Sequence, residues 1–232
     1  NMQVRLAALS DPEKQTKFEN CVADVNIPLG EVFTSPKLAG TNGILNVGTV
    51  YIGDIQYRNL RMEFKDGRVV SAVCDNFVEN GVIDQEAGHR LIVQGIMNGH
   101  ETLPLGEFAI GTNTTAYAMA EKFGILDRLP ILIVEKMGPH FAVGDTCYSW
   151  SEDSPMYNPD GKEMTARDNE ISILRKEDVS RAYFGVHKDI TIPYKELGSI
   201  TVVEPGGTRV PIIKDGRFVL PGTEELNQAL DR

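Results

Sequence analysis

Leu60-Arg-Met62-Glu-Phe64-Lys-Asp66-Gly67-Arg68 is the stretch that decides the fold class of this chain. Leu60, Met62 and Phe64 alternate with charged residues, the two-residue period of a strand with one buried face. Asp66-Gly67 supplies the two left-handed residues of a tight hairpin, so the chain turns back at once through residues 68–74. Working outward, residues 47–52 and 56–64 read as strands, and a second Asp-Gly turn at Asp215-Gly216 closes a hairpin between 210–213 and 217–220. Further strands are expected at 4–9, 105–110, 170–174, 186–192 and 200–203. The unbroken apolar run 130–134 reads as a short strand covered on both faces.

Two helices stand out. Residues 84–97 are amphipathic and end at Asn98-Gly99, and residues 115–123 are closed by Gly124. A third is expected to start at 139–143 and carry His140, and Thr223 is expected to cap a short final one. Residues 20–36 and the glycine-containing 37–47 read as loops, as does the long, aperiodic stretch 149–167. Many strands with few βαβ units predict an α/β class built on a mixed, largely antiparallel sheet with flanking helices, in one domain. Neither GxGxxG nor GxxxxGK occurs, so the glycines do not form a phosphate loop.

A chain of 232 residues can bury one sizeable core. Its net charge of -10 argues against a nucleic-acid or anionic-membrane surface. Cys21, Cys74 and Cys147 are widely spaced, with no CxxC pair, which suits a reducing compartment and points to the cytoplasm. The opening Asn1-Met2-Gln3 runs straight into a strand-like segment, as a fragment of a longer protein would.

The chemistry concentrates on few residues. His187 and Asp189 are two apart on an expected strand and so share a face, where one cation could meet both. His140 follows Pro139, and as a lone residue it reads first as a packed histidine donating to a backbone carbonyl. Glu107 lies inside an apolar strand, where a carboxylate is costly unless paired, protonated or metal-bound. Glu31 sits among proline and glycine, where an exposed glutamate is unremarkable. Glu135, five residues before His140, reads as a general base or as an ion-pair partner of Lys136, Arg175 or Arg209. Tyr148 could donate to an oxyanion or touch a metal, though an isolated tyrosine is usually core. His89 and His100 read as surface residues. Cys147, near His140, keeps open a cysteine-nucleophile reading.

Several separated segments, in order, resemble the thermophilic-aminopeptidase family of metal-dependent aminopeptidases. They are Asn26-Ile-Pro-Leu-Gly-Glu31-Val-Phe-Thr-Ser-Pro36, Leu105-Gly-Glu107, Glu135-Lys-Met-Gly-Pro-His140 with Gly144 and Tyr148 after it, and His187-Lys-Asp189. Asp66-Gly67-Arg68 and Lys214-Asp-Gly-Arg217 agree as well. The resemblance implies two divalent cations (zinc, cobalt or manganese) held by Glu31, Glu107, His140, His187 and Asp189, with at least one carboxylate bridging them. It places Tyr148 at or near the metals and makes Glu135 the base. It implies hydrolysis of the first peptide bond of peptide substrates by a metal-activated water, with leucine-type or broad preference, in a homodimer. It also implies that residues 1–232 are the C-terminal catalytic domain of a longer protein whose N-terminal domain is absent. The segment from His140 to Tyr148 is one residue longer than the family's pattern. A different class stays open: a binding or assembly domain that keeps the site residues without turnover.

Overall fold

The computed structural model describes residues 1–22, 29–148 and 154–231, so residues 26–28 of the first family-like segment and 149–153 of the long loop lie outside it. The Asp66-Gly67 hairpin forms as its sequence dictates: both residues have positive φ, 45° and 66°, and they join strands Ile55–Lys65 and Arg68–Val73. With Lys37–Ile52 and Met2–Arg5 these make a four-stranded antiparallel sheet. Its inner residues, among them Leu45, Val47, Leu60, Met62 and Phe64, pack under helix Gln85–Gly95 in the largest core. That helix is capped by the Asp84 carboxylate, which accepts from the Ala87 N–H.

The second sheet carries the chemistry. Its five antiparallel strands run in the order His187–Thr191, Pro139–Gly144, Leu105–Gly111, Glu31–Thr34 and Glu19–Cys21. One face turns Phe141, Val143 and Ile190 into the core shared with the four-stranded sheet. The opposite face collects Glu31, Glu107, His140, His187 and Asp189, with a register shift between Leu105 and Glu107 bringing Glu107 to that side. Three further strands near the C-terminus, Ser199–Val203, Arg209–Lys214 and Arg217–Phe218, form a separate sheet closed by Asp215-Gly216.

Several expectations are corrected. Residues 37–47 form most of the longest strand, because Gly43 sits where that strand pairs closely with Met2 rather than in a turn. Its φ is 137°, and a side chain there would strike the backbone of Asn1 and Met2 on the neighbouring strand. The apolar run after Pro130 is a helical turn, Ile131–Val134, with Ile131 and Leu132 exposed; four residues are too few for periodicity to separate the two forms. Pro139 begins a strand, not a helix, as proline can where its missing N–H opens the element. Residues 170–174 fall in a 3-10 turn, Ser172–Lys176, initiated by the Asn169 side chain accepting from the Ile171 and Ser172 N–H groups. The first strand is Met2–Arg5 rather than 4–9. The final helix is a 3-10 turn, Glu224–Asn227, and the Thr223 hydroxyl donates back to the Leu220 carbonyl instead of capping it.

The core also contains one testable mismatch. Tyr57 is fully buried, its hydroxyl has no hydrogen-bond partner, and a methyl group on Gly95 would collide with that hydroxyl. Gly95→Ala should therefore destabilise the fold by about 1–3 kcal/mol through overpacking. In a Tyr57→Phe background the same change should cost almost nothing, because the colliding oxygen is gone. Burial raises the Tyr57 phenol to about 12, against about 10 in an unfolded chain. A folded pKa above the unfolded one means stability is complete below about pH 10 and is lost as pH rises toward 12. Tyr57→Phe should flatten that alkaline decline. Urea titrations of the four variants at neutral and alkaline pH measure both effects, and an unrelieved Gly95→Ala penalty in the Phe background would sink the account.

Candidate metal centre

Register brings the site residues together. On the central strand Glu107 pairs with Ala142, Ala109 with His140 and Gly111 with Glu31; across the next strand, Ala142 faces Asp189 and Gly144 faces His187. The larger donors thus alternate with alanine and glycine on one face, which leaves room above the sheet for their side chains to converge. Glu31 is no loop residue: it opens its strand and is buried, as are Glu107, His140 and Asp189.

The distances define a cluster. His140 Nε2 lies 3.5 Å from Glu31 Oε2, 3.5 Å from Glu107 Oε1 and 4.0 Å from Asp189 Oδ1. His187 Nε2 lies 3.2 Å from Glu107 Oε2 and 3.5 Å from Asp189 Oδ1. Two donor triads result, Glu31–Glu107–His140 and Glu107–Cys147–His187, each with its ligand atoms within 4.8 Å of one another. Glu107 belongs to both.

Orientation is fixed from behind. His140 Nδ1 is 3.1 Å from the Gly138 carbonyl and His187 Nδ1 is 2.7 Å from the Asp145 carbonyl. A carbonyl only accepts, so each Nδ1 carries its proton and each Nε2 is aimed into the cluster, the arrangement typical of metal-binding histidines. His140 thus packs against a backbone carbonyl through Nδ1 and leaves Nε2 to the cluster.

Electrostatics point the same way. Burial works against charge on Glu107, yet the imidazoles of His140 and His187 outweigh it and hold the carboxyl well below its usual range. Burial likewise disfavours charged His140, but Glu107, then Asp189 and Glu31, raise it to about 9. His187 is raised further, against burial, by Asp189, Cys147 and Glu107. The carboxylates thus draw positive charge to the spot between the two rings. Glu31 Oε2 and Asp189 Oδ1 are buried without a hydrogen-bond partner, a costly state for a carboxylate oxygen unless a cation meets it. Two imidazoles and three carboxylates are a donor set that fits zinc, cobalt or manganese.

Two expected residues sit beside the cluster rather than in it. The Glu135 carboxylate lies 2.5 Å from Lys136 Nζ, which also bonds Glu31 Oε1. The ion pair weighed for Glu135 is thus present. Tyr148 donates its hydroxyl to Glu19 and lies under the Arg167 guanidinium, 4.5 Å from ring centroid to Cζ. It is Cys147 that reaches the cluster, with Sγ 2.7 Å from Glu107 Oε2. His89 and His100 are half-buried rather than surface residues: His89 meets the Ala72 carbonyl and Glu101, and His100 the Phe184 carbonyl.

Sequence reasoning missed the cluster roles of Lys136 and Cys147. Lys136 was visible only as a neighbour of Glu135, and its almost complete burial has no signature in a single sequence. Cys147 reads from the sequence only as a nucleophile candidate near His140, and its closeness to Glu107 is a property of the fold.

A buried carboxylate–imidazole cluster on one face of an antiparallel sheet is an arrangement that could hold a divalent metal. The chain belongs to the thermophilic metalloprotease family (M29), whose family model matches residues 10–218, and a divalent metal is what that family implies. Among solved structures it resembles wild-type AmpT from Thermus thermophilus, with a TM-score of 0.53 and 19% identity over 94% of this chain and 45% of that one. The chain therefore spans less than half the length of AmpT. No curated protein matches it. Among the described residues, no helix is long and apolar enough to cross a membrane.

Proposed function

We propose that this chain is the catalytic domain of a cytoplasmic, homodimeric aminopeptidase that holds two divalent cations and removes N-terminal residues of leucine type or broader preference. The reading of residues 1–232 as the C-terminal part of a longer enzyme belongs to the same proposal. The observation that carries it is the sharing of Glu107 between two donor triads. Glu31, Glu107 and His140 would hold one cation, and Glu107, His187 and Asp189 the other, with Glu107 as the bridge. When bound, such cations polarise a scissile carbonyl and acidify a water molecule.

The chain's own residues supply the rest. The Gly138 and Asp145 carbonyls lock the two imidazoles. Lys136 occupies Glu31 Oε1 and so leaves Oε2 to face the cluster. Glu135 is the proposed proton acceptor, supported by its link through Lys136 to a cluster carboxylate. The buried Glu31–Glu107–His140 end is closed, whereas His187 and Cys147 are exposed, which favours substrate approach from that side.

Elemental analysis and cleavage of leucine-p-nitroanilide test this. The purified chain should carry close to two equivalents of metal, lose hydrolysis to a chelator and regain it with cobalt or zinc. Metal bound without hydrolysis, in a chain whose longer form is active, would favour the binding-domain alternative. Hydrolysis that survives chelation but not iodoacetamide would favour a Cys147 nucleophile instead.

A further inference from the structure

We propose that Cys147 is a thiolate ligand of the cation on the His187 side, and that it tunes this position toward zinc or cobalt and away from magnesium or manganese. The inference rests on the dinuclear reading above and adds a donor that neither composition nor family resemblance assigns.

The position is built rather than incidental. Cys147 Sγ is 2.7 Å from Glu107 Oε2, and Sγ, that carboxylate and the His187 imidazole lie within 4.8 Å of one another. Asp189 Oδ1 stands beside the group: its side chain is only 6% exposed, it lacks a hydrogen-bond partner, and it is 3.5 Å from His187 Nε2. The turn that presents the thiol is held on both sides. Asp145 accepts from the Phe184, Gly185 and Val186 N–H groups through its carboxylate and from His187 Nδ1 through its carbonyl, which ties the turn to the strand bearing His187 and Asp189. After the cysteine, Tyr148 is anchored on Glu19. One sulfur, one imidazole nitrogen and one carboxylate oxygen make a donor set of mixed softness, with a second carboxylate beside the imidazole. Thiolate favours zinc and cobalt over magnesium or manganese, which prefer oxygen. On binding, the S–H proton leaves to solvent and a sulfur lone pair forms the bond to the cation; nothing is oxidised or reduced.

Cobalt(II) titration of the metal-free chain reads this directly. Wild-type protein should develop the intense near-ultraviolet absorption of a thiolate-to-cobalt transition. Cys147→Ser should lose it, whereas Cys21→Ser and Cys74→Ser, which alter buried thiols, should keep it. A readout on the unmutated chain stands beside this: iodoacetamide should modify Cys147 in the metal-free protein, and bound zinc should slow that modification by about an order of magnitude. Cobalt bound with no such absorption, absorption that survives Cys147→Ser, or alkylation indifferent to zinc would overturn the thiolate ligand and leave the dinuclear reading standing. Absence of cobalt uptake by the wild-type chain would overturn both.

Discussion

Glu107→Ala is expected to remove both metal-binding positions at once. Its carboxylate is the one group common to the two donor triads, with Oε1 turned to His140 and Oε2 to His187 and Cys147. Deleting it strips each position of an anionic donor and leaves the two imidazoles without the charge that holds them together. Bound metal should fall from two equivalents to none, with affinity reduced at least about 100-fold, more than loss of an outer-sphere partner alone costs. His187→Ala and Glu31→Ala touch one triad each, so each should retain one equivalent. Far-ultraviolet circular dichroism should be unchanged in all three, because Glu107 faces away from the Phe141–Val143–Ile190 core. This graded pattern separates a bridged pair from two independent sites. Retention of a full equivalent by Glu107→Ala would refute the bridge, and equal losses in all three variants would refute the division into two positions.

How much of this was legible in the sequence differs by element. The Asp66-Gly67 and Asp215-Gly216 hairpins and both principal helices were readable, since each is set by local turn or cap chemistry. The strand carrying His187 and Asp189 was readable too, and its two-residue spacing puts both on one face as expected. Residues 130–143 were not, because the outcome there depends on tertiary context. Pro139 begins a strand only because Ile110 and Ala109 stand ready to pair with it and with His140. Glu31 looked like a loop residue for the same reason: its burial is conferred by pairing with Gly111 and Cys21, which lie far from it or show no periodicity. The clustered carboxylates and imidazoles were therefore easier to pick out than the strands that bring them together. Chemistry is written in residue type, whereas register is a property of the assembled sheet.

Lys136→Met is expected to be the most damaging single change in the metal-free protein. The ammonium is 1% exposed and is held between two carboxylates, Glu31 and Glu135. Burial alone would lower its pKa, yet the hydrogen bonds it donates to Glu135 and Glu31 outweigh burial and keep the amine protonated well above its usual range. Methionine fits the space but removes the positive charge held between the two carboxylates. Breaking a buried pair in this way costs about 3–5 kcal/mol. Glu31, whose carboxyl burial already raises, would protonate to relieve it. A cation at the Glu31–Glu107–His140 position would replace part of the missing charge, so added zinc should raise the melting temperature of Lys136→Met by more than that of wild type. Freed from the lysine, Glu31 could also turn both oxygens toward the cluster, and metal should then bind with altered pH dependence. Differential scanning calorimetry with and without zinc measures these effects. A metal-free Lys136→Met protein as stable as wild type would show that Lys136 is not what holds Glu31 in place.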